Sequence, residues 1–288
     1  MPRKNQPNII FIMADDHAAK AIGSYGWGIN KTPNIDRLAN EGMRFDHCYV
    51  SNSICTPSRA TILTGTYNHV NGVTTLNTPI NNRLPNMAKH LRTGGYQTAI
   101  VGKWHLGEGK EHQPSGFDYW SVLPGQGEYF DPFFIEKEEK LEVRGYVTDI
   151  ITNKCLEWLK QRNKSKPFFL MCNHKAPHRE WEPHPKNRDK YKDDIEIPKT
   201  FDDDYKNRAK AASEAKMRIK DDMKYSDLGL VQPEGGHEIG ERSTHSSIER
   251  KIPNPKDVTT LKLIDKHTGQ IFSFLTKEEL SHFKYQRY

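Results

Sequence analysis

Apolar residues in this chain gather in short dense runs, separated by polar stretches with helical spacing. "NIIFIM" (8–13) is continuously apolar, the pattern of a strand buried on both faces of a parallel sheet, and it stops at Asp15 and Asp16. "TPNIDRLANEG" predicts a helix, with Thr32 at the cap, Pro33 in the first turn and Gly42 at the end. "MRFDHCYV" (43–50) alternates and predicts a second strand, after which Pro57 opens a helix that Gly65 closes. "LPNMAKHLRTGG" (84–95) predicts a further helix, and "YQTAIVG" (96–102) a strand that delivers Lys103, Trp104 and His105. Val147, Ile151, Cys155 and Trp158 fall at helical spacing, and "PFFLMC" (167–172) reads as a strand leading to His174, Lys175 and His178.

Strand and helix alternate throughout this half. That order predicts an α/β fold, a mostly parallel central sheet with helices on both faces. Three strands end in charged or imidazole side chains, and a weaker fourth leads to a cysteine loop. In an open α/β sheet the crevice beyond the carboxyl ends of the strands is where ligands bind. Asp15, Asp16, Cys55, Arg59, Lys103, His105 and His178 are therefore expected to meet there.

The pattern places the α/β core in residues 6–185 and a polar excursion in 186–275. Within the excursion, "FDDDYKNRAKAASEAKMRIKDDMKY" predicts one polar surface helix, and 230–257 a long Gly- and Pro-rich loop. "TLKLIDKHTGQIFSF" predicts a hairpin. Thr276 and Glu279 form a capping box for a last helix, 277–288, which carries no stop signal and reads as cut.

Composition narrows the field. Hydrophobic residues make up 35% of the chain and the mean hydropathy is −0.84, low enough to predict that part of it lacks a core of its own. The formal charge of +6 tolerates an anionic partner, yet Lys and Arg interleave with Asp and Glu, so nucleic acid is not expected. No run is long enough to span a bilayer, so a membrane partner is not expected either. The first residues read as a strand and not as a secretion signal. The protein is thus expected to be cytoplasmic, or periplasmic or secreted if an export signal has been left off. Four cysteines show no paired spacing, so no disulfide framework is required, and Cys48, Cys155 and Cys172 are expected to pack as small apolar groups.

Cys55 is different. It sits in "SNSICTPSRATILTG", among small polar residues, where a structural thiol would want Val, Leu or Ile. A position just before a helix offers free N–H groups to an anion. Arg59 follows one helical turn later and can return to the same place. The spacing of three residues between Cys55 and Arg59 is too short for a cysteine-phosphatase loop. Asp15 and Asp16 are hard oxygen donors suited to calcium or magnesium.

"CTPSR" followed by "ATILTG" resembles the signature of the sulfatase family. The likeness extends to "NIIFIMADD", "TPNIDRLANEGMRFDHCYV", "GKWHLG" and "APHREWEP", in the family's order over most of residues 8–185. The later segment is similar to bacterial glycan sulfatases related to N-acetylglucosamine-6-sulfatase. The resemblance implies an alkaline-phosphatase-like fold and hydrolysis of sulfate esters of a sugar. It implies that a maturation enzyme oxidises Cys55 to formylglycine, whose hydrate attacks sulfur, and that Asp15, Asp16 and residue 55 hold Ca2+ or, in its place, Mg2+. Lys103 becomes a contact to sulfate and diol, His105 the base that expels sulfate, and His178 a contact to sulfate that can also protonate the leaving oxygen. His174 and Lys175 are not fixed by the family pattern, and Trp104 is expected to be structural.

One family element is missing: a later strand ending in Asp and an amide residue, before Gly. Asp227 and Asp265 do not match it, and neither is assigned as a ligand. The expectation is the N-terminal part of a longer sulfatase, incomplete at its C-terminus and weakly active or inactive by itself. Two alternatives stay open: a phosphomonoester or phosphonate hydrolase of the same superfamily, and a non-catalytic remnant that binds sulfated glycans.

Overall fold

The computed structural model describes residues 6–137, 139–191, 194–215, 218–231 and 257–288. They form two compact units, Met1–His178 and Arg179–Tyr288. The first unit runs β1 (Ile9–Met13), α1 (Pro33–Glu41), α2 (Cys55–Thr64), α3 (Asn68–Asn71), α4 (Met87–Thr93), β2 (Gln97–Lys103), β3 (Tyr119–Leu123), β4 (Phe133–Glu136), β5 (Glu139–Glu142), α5 (Val147–Gln161) and β6 (Phe168–Asn173). Its six strands make one sheet in the order β1-β6-β2-β3-β4-β5. The pairs β1–β6, β6–β2 and β2–β3 are parallel, and β3–β4 and β4–β5 are antiparallel.

The centre of the sheet is apolar on both faces because both are covered. Ile100, Phe169 and Met171 pack beneath Ala60 and Leu63 of α2 and Ala88 of α4. Ala99, Val101, Leu170 and Cys172 point the other way, against Val147, Ile151 and Cys155 of α5. β2 and β6 approach so closely that a Cβ at Gly102 (φ +101°) would sit 2.0 Å from the Asn173 carbonyl oxygen, so only glycine fits there.

Several expectations need correction. β1 is buried on one face only: Ile9 and Phe11 join the α2 side, while Ile10 and Ile12 are 51% and 62% exposed. They lie beside Leu170 and Cys172 in register, but α5 covers β2 and β6 and stops short of this edge strand. The strand expected at 43–50 does not form; the segment is irregular, with Met43, Phe45, Tyr49 and Val50 all exposed. Its alternation is real, but no described strand lies beside it to accept the hydrogen bonds. The helix expected to open at Pro57 starts two residues earlier, so Cys55 lies in its first turn and not before it. The helix over 84–95 shortens to α4 because the Asn86 side chain caps it, accepting from Lys89 N–H at 2.9 Å. Thr32 does not cap α1 in the ordinary way; its hydroxyl donates to Asp36 at 2.8 Å.

The second unit contains α6 (Lys210–Glu214), α7 (Ile219–Asp222), β7 (Leu230–Val231), β8 (Lys262–Asp265), β9 (Ile271–Ser273) and α8 (Lys277–Arg287). The single polar helix expected across 201–225 is instead two short ones, α6 and α7, because no apolar face runs along that stretch to seat a longer helix. The long loop expected at 230–257 falls almost wholly outside the described residues. The hairpin is present as β8 and β9, and the Thr276–Glu279 capping box starts α8. This polar half is not coreless: Tyr225, Leu228, Leu230, Leu263, Phe274 and Leu280 bury one another. No helix among the described residues is long and apolar enough to cross a membrane.

Candidate active site

Two residues beyond β1, Asp15 turns into the sheet's carboxyl end and is 7% exposed. Its Oδ2 accepts from Arg59 Nη2 at 3.2 Å and pairs with Lys103 Nζ. Its Oδ1 lies 3.6 Å from Cys55 Sγ. Arg59, one turn into α2, also donates through Nη1 to the Lys103 carbonyl at 2.8 Å. Both cations are buried. One carboxylate thus stands between two desolvated positive charges, beside the N-terminus of a ten-residue helix. Burial pushes the Asp15 carboxyl up, but Arg59 and Lys103 together outweigh it and hold it below the usual range. Burial draws Lys103 and Arg59 down, opposed by Asp15, which cannot fully neutralise both. The buried centre thus holds two cations to one carboxylate, with the exposed Asp16 adding a second negative charge at the rim, and its buried part suits an anion.

Burial is the main force raising the Cys55 thiol above its ordinary value, with Lys103 opposing it and Asp15 and Asp16 adding to it. At neutral pH the residue is a protonated thiol, a poor nucleophile as it stands. His105 lies two residues past Lys103 with φ 53°, so a left-handed turn aims it, and not the extended alternation expected from the sequence. Its Nδ1 is buried and has no hydrogen-bond partner among the described residues. Burial first, then the Lys103 and Arg59 charges, push its pKa down to about 4, which leaves a neutral imidazole at pH 7.

His178 closes the group from the loop after β6. Ligand atoms of Asp15, Cys55 and His178 all lie within 4.8 Å of one another. Asp16 (φ 61°) stands at the rim with its side chain 57% exposed, its Oδ2 3.8 Å from His178 Nε2. Of the seven residues expected to converge, Asp15, Cys55, Arg59, Lys103 and His178 form the tight centre, and His105 and Asp16 flank it. His174 turns away, its Nε2 3.5 Å from Cys172 Sγ, and Lys175 stacks 4.7 Å from the Tyr129 ring centroid. Trp104 is buried and donates to the His112 carbonyl at 2.8 Å, the structural part expected of it. Asp227 and Asp265 are engaged within the second unit, by Arg179 at 3.6 Å and Arg287 at 2.7 Å.

Three residues escaped the sequence reading. Gln126 Oε1 accepts from Lys103 Nζ, presented by the loop after β3 between Gly125 and Gly127. Asn173 Nδ2 donates to the Lys103 carbonyl at 3.1 Å, and the Tyr129 hydroxyl donates to the His178 carbonyl. The usable signals were the Gly-Gln-Gly turn and a buried-strand run that ends in Asn. Beside His105 and Thr56 opens a cavity of about 420 Å³, walled in part by Trp104, Trp120 and His112.

The family model described as Sulfatase matches residues 7–280. The chain belongs to the sulfatase family. It is 46% identical over 226 residues to the N-acetylglucosamine-6-O-sulfatase of Bacteroides thetaiotaomicron, covering 76% of this chain and 40% of that protein. The human N-acetylgalactosamine-6-sulfatase is 31% identical over 209 residues, covering 60% of this chain and 40% of its own length. A solved structure in complex with its substrate, D-glucosamine-2-N,6-O-disulfate, superposes with a TM-score of 0.75 at 45% identity, over 80% of this chain and 47% of that one. This sulfatase chain therefore spans about 40% of the length of the curated relatives it matches. Its mixed, mostly parallel sheet with helices on both faces is the alkaline-phosphatase-like fold of sulfatases.

Proposed function

We propose that this chain carries the anion-gripping part of a sulfuric ester hydrolase that removes sulfate from a sulfated amino sugar, with residue 55 as the nucleophilic position. The observation that carries this reading is Asp15 held between Arg59 and Lys103, with the Cys55 thiol 3.6 Å away at the head of α2. Such a site holds a tetrahedral anion against the first turn of a helix. A protonated thiol is a weak nucleophile there, which supports oxidation of Cys55 to formylglycine, the hydrated aldehyde supplying an oxygen nucleophile.

The donor set fits a hard divalent cation in part. Asp15 Oδ1 and the Asp16 carboxylate are suitable oxygen donors for calcium or magnesium, whereas a thiol is not, so residue 55 fits only in its oxidised form. Calcium takes about six to eight oxygens, so the bound ester, water or residues outside these 288 complete its shell. When bound, the cation neutralises part of the sulfate charge. The remaining roles fall to the chain itself. Arg59 and Lys103 fix the sulfate oxygens, with Lys103 steadied by Gln126. His105, neutral at pH 7, accepts a proton, and His178, beside Asp15 and residue 55, donates one to the leaving sugar oxygen. The cavity lined by Trp104 and Trp120 is wide enough for a sugar ring, and the relatives' substrates point to an N-acetylated or N-sulfated glucosamine carrying a 6-sulfate.

The test is the mass of the peptide containing Cys55, made in a host with the formylglycine-generating enzyme, together with sulfate release from glucosamine-6-sulfates and phosphate release from the matching phosphates. Formylglycine and a preference for sulfate are expected. An unmodified thiol, or faster release of phosphate, would overturn the proposal.

A further inference from the structure

Asp15, Cys55 and His178 bring a carboxylate, a thiol and an imidazole to one corner of unit 1. Among the described residues it is the one place where three such donors meet. A thiol suits calcium poorly, but oxygen, sulfur and imidazole nitrogen together are the donors of a softer cation, zinc above all. The spacing fits as well. Zinc bonds of about 2.0–2.2 Å to oxygen and about 2.3 Å to sulfur, at a tetrahedral angle, set those two atoms about 3.5 Å apart. Asp15 Oδ1 and Cys55 Sγ stand 3.6 Å apart. The His178 nitrogen lies within 4.8 Å of both, so its side chain, on the loop after β6, has roughly 1 Å to close. The supporting contacts are in place. Asp15 Oδ2 is taken by Arg59, at 3.2 Å, and by Lys103, which leaves Oδ1 turned to the thiol. The Tyr129 hydroxyl donates to the His178 carbonyl and steadies that loop. A metal-bound thiolate and Asp15 would set two negative charges against the two buried cations, with Asp16 adding a third at the rim. An ion has a way in, since Cys55 is half-buried and the Asp16 side chain at the rim is 57% exposed.

We propose that the chain with an unoxidised Cys55 is a zinc-binding protein, holding one Zn2+ through Asp15 Oδ1, Cys55 Sγ and a ring nitrogen of His178. The fourth position is open to water or to an anion held by Arg59 and Lys103. On binding, the Cys55 S–H bond gives its proton to solvent and the sulfur bonds to the ion, with no change of oxidation state. The zinc form is a capped state: its sulfur is shielded from alkylating and oxidising agents, and the ion stands where a sulfate ester would be gripped. The chemistry of residue 55 then selects the metal, zinc for the thiolate and a hard cation for the formylglycine hydrate. Only that last contrast rests on the oxidation of Cys55 proposed above; zinc binding by the thiol form does not.

The experiment uses the whole 288-residue chain, made in a host without formylglycine-generating activity and checked by peptide mass for an intact Cys55 thiol. Stripped with a chelator, it is titrated with Zn2+ alone or Ca2+ alone. One zinc per chain is expected, with calcium at least about a hundredfold weaker. Iodoacetamide labelling and peptide mapping then read each thiol: zinc is expected to slow labelling of Cys55 by about tenfold or more, and to leave the exposed Cys48 unchanged. Cys55→Ser and His178→Ala are each expected to weaken zinc binding by about a hundredfold. Co2+ in place of zinc is expected to show a sulfur-to-metal charge-transfer band that Cys55→Ser lacks. Zinc binding unchanged in Cys55→Ser, protection of Cys172 in place of Cys55, or calcium bound as tightly as zinc would overturn the proposal. Should a variant fail to fold, the labelling map of the wild-type chain decides. Because the chain tested is unoxidised, its result is separate from that of the formylglycine test.

Discussion

β1 and β2 carry similar runs of apolar residues in the same sheet, and the structure treats them differently. β2 has parallel neighbours on either side, α2 and α4 above and α5 below, and six of its seven residues are buried. β1 has one neighbour among the described strands, and the face that α5 does not reach leaves Ile10 and Ile12 exposed. A dense apolar run announces what a strand can tolerate; whether it is covered depends on elements far away in sequence. The residues of the candidate site cut across this division: the buried cations Arg59 and Lys103 come from covered elements, while Asp15 and Asp16 both follow the exposed edge, Asp15 turning inward and Asp16 staying at the rim.

Substitutions can break this contrast, and the largest effect belongs to Gly102. Gly102→Ala places a Cβ where β2 and β6 already touch, in a backbone conformation that L-residues avoid, and is expected to cost more than about 5 kcal/mol in urea unfolding, or to prevent folding. Asp15→Ala comes next. It leaves Arg59 and Lys103 buried without a counter-charge and is expected to cost about 3–5 kcal/mol. Ile100→Ala, at the covered centre, is expected to cost about 3 kcal/mol through the cavity it opens. Acid is the fourth probe. The folded pKa of His105, about 4, lies below its unfolded value, so its contribution is present at neutral pH and is lost as pH falls from about 6.5 towards 4. Partial solvation limits the slope to about 1 kcal/mol per pH unit, and His105→Gln is expected to flatten urea midpoints over that window. The smallest effect is at the bare edge: Ile12→Ser is expected to change stability by less than about 0.5 kcal/mol. A loss above about 2 kcal/mol there would mean that the face is covered after all.

How much of this was legible follows the same line. The central strands and α5 could be read because their periodicity is set by the core they make. β3, β4 and β5 went unread, being short and mixed in polarity, with β5 exposed at every residue. The strand expected at 43–50 was misread because alternation is local and a pairing partner is not. Cys55, Arg59, Lys103 and the aspartates stood out because their chemistry is strong and their motif order specific. Gln126 and Asn173 did not, since they act only by hydrogen bonds to Lys103, at its ammonium and its carbonyl, and the Gly-Gln-Gly turn and the strand-end Asn mark a turn and a strand end without naming the partner.

The single carboxylate shared by two cations has one more consequence. In the buried centre two cations share one carboxylate, so an anionic visitor there is expected to stabilise the fold as well as to occupy the site. Thermal stability is therefore expected to depend on the species of dissolved salt as well as on its strength: at matched ionic strength, a tetrahedral oxyanion is expected to raise Tm more than chloride does. Filling this corner is expected to act as a brace on the finished fold.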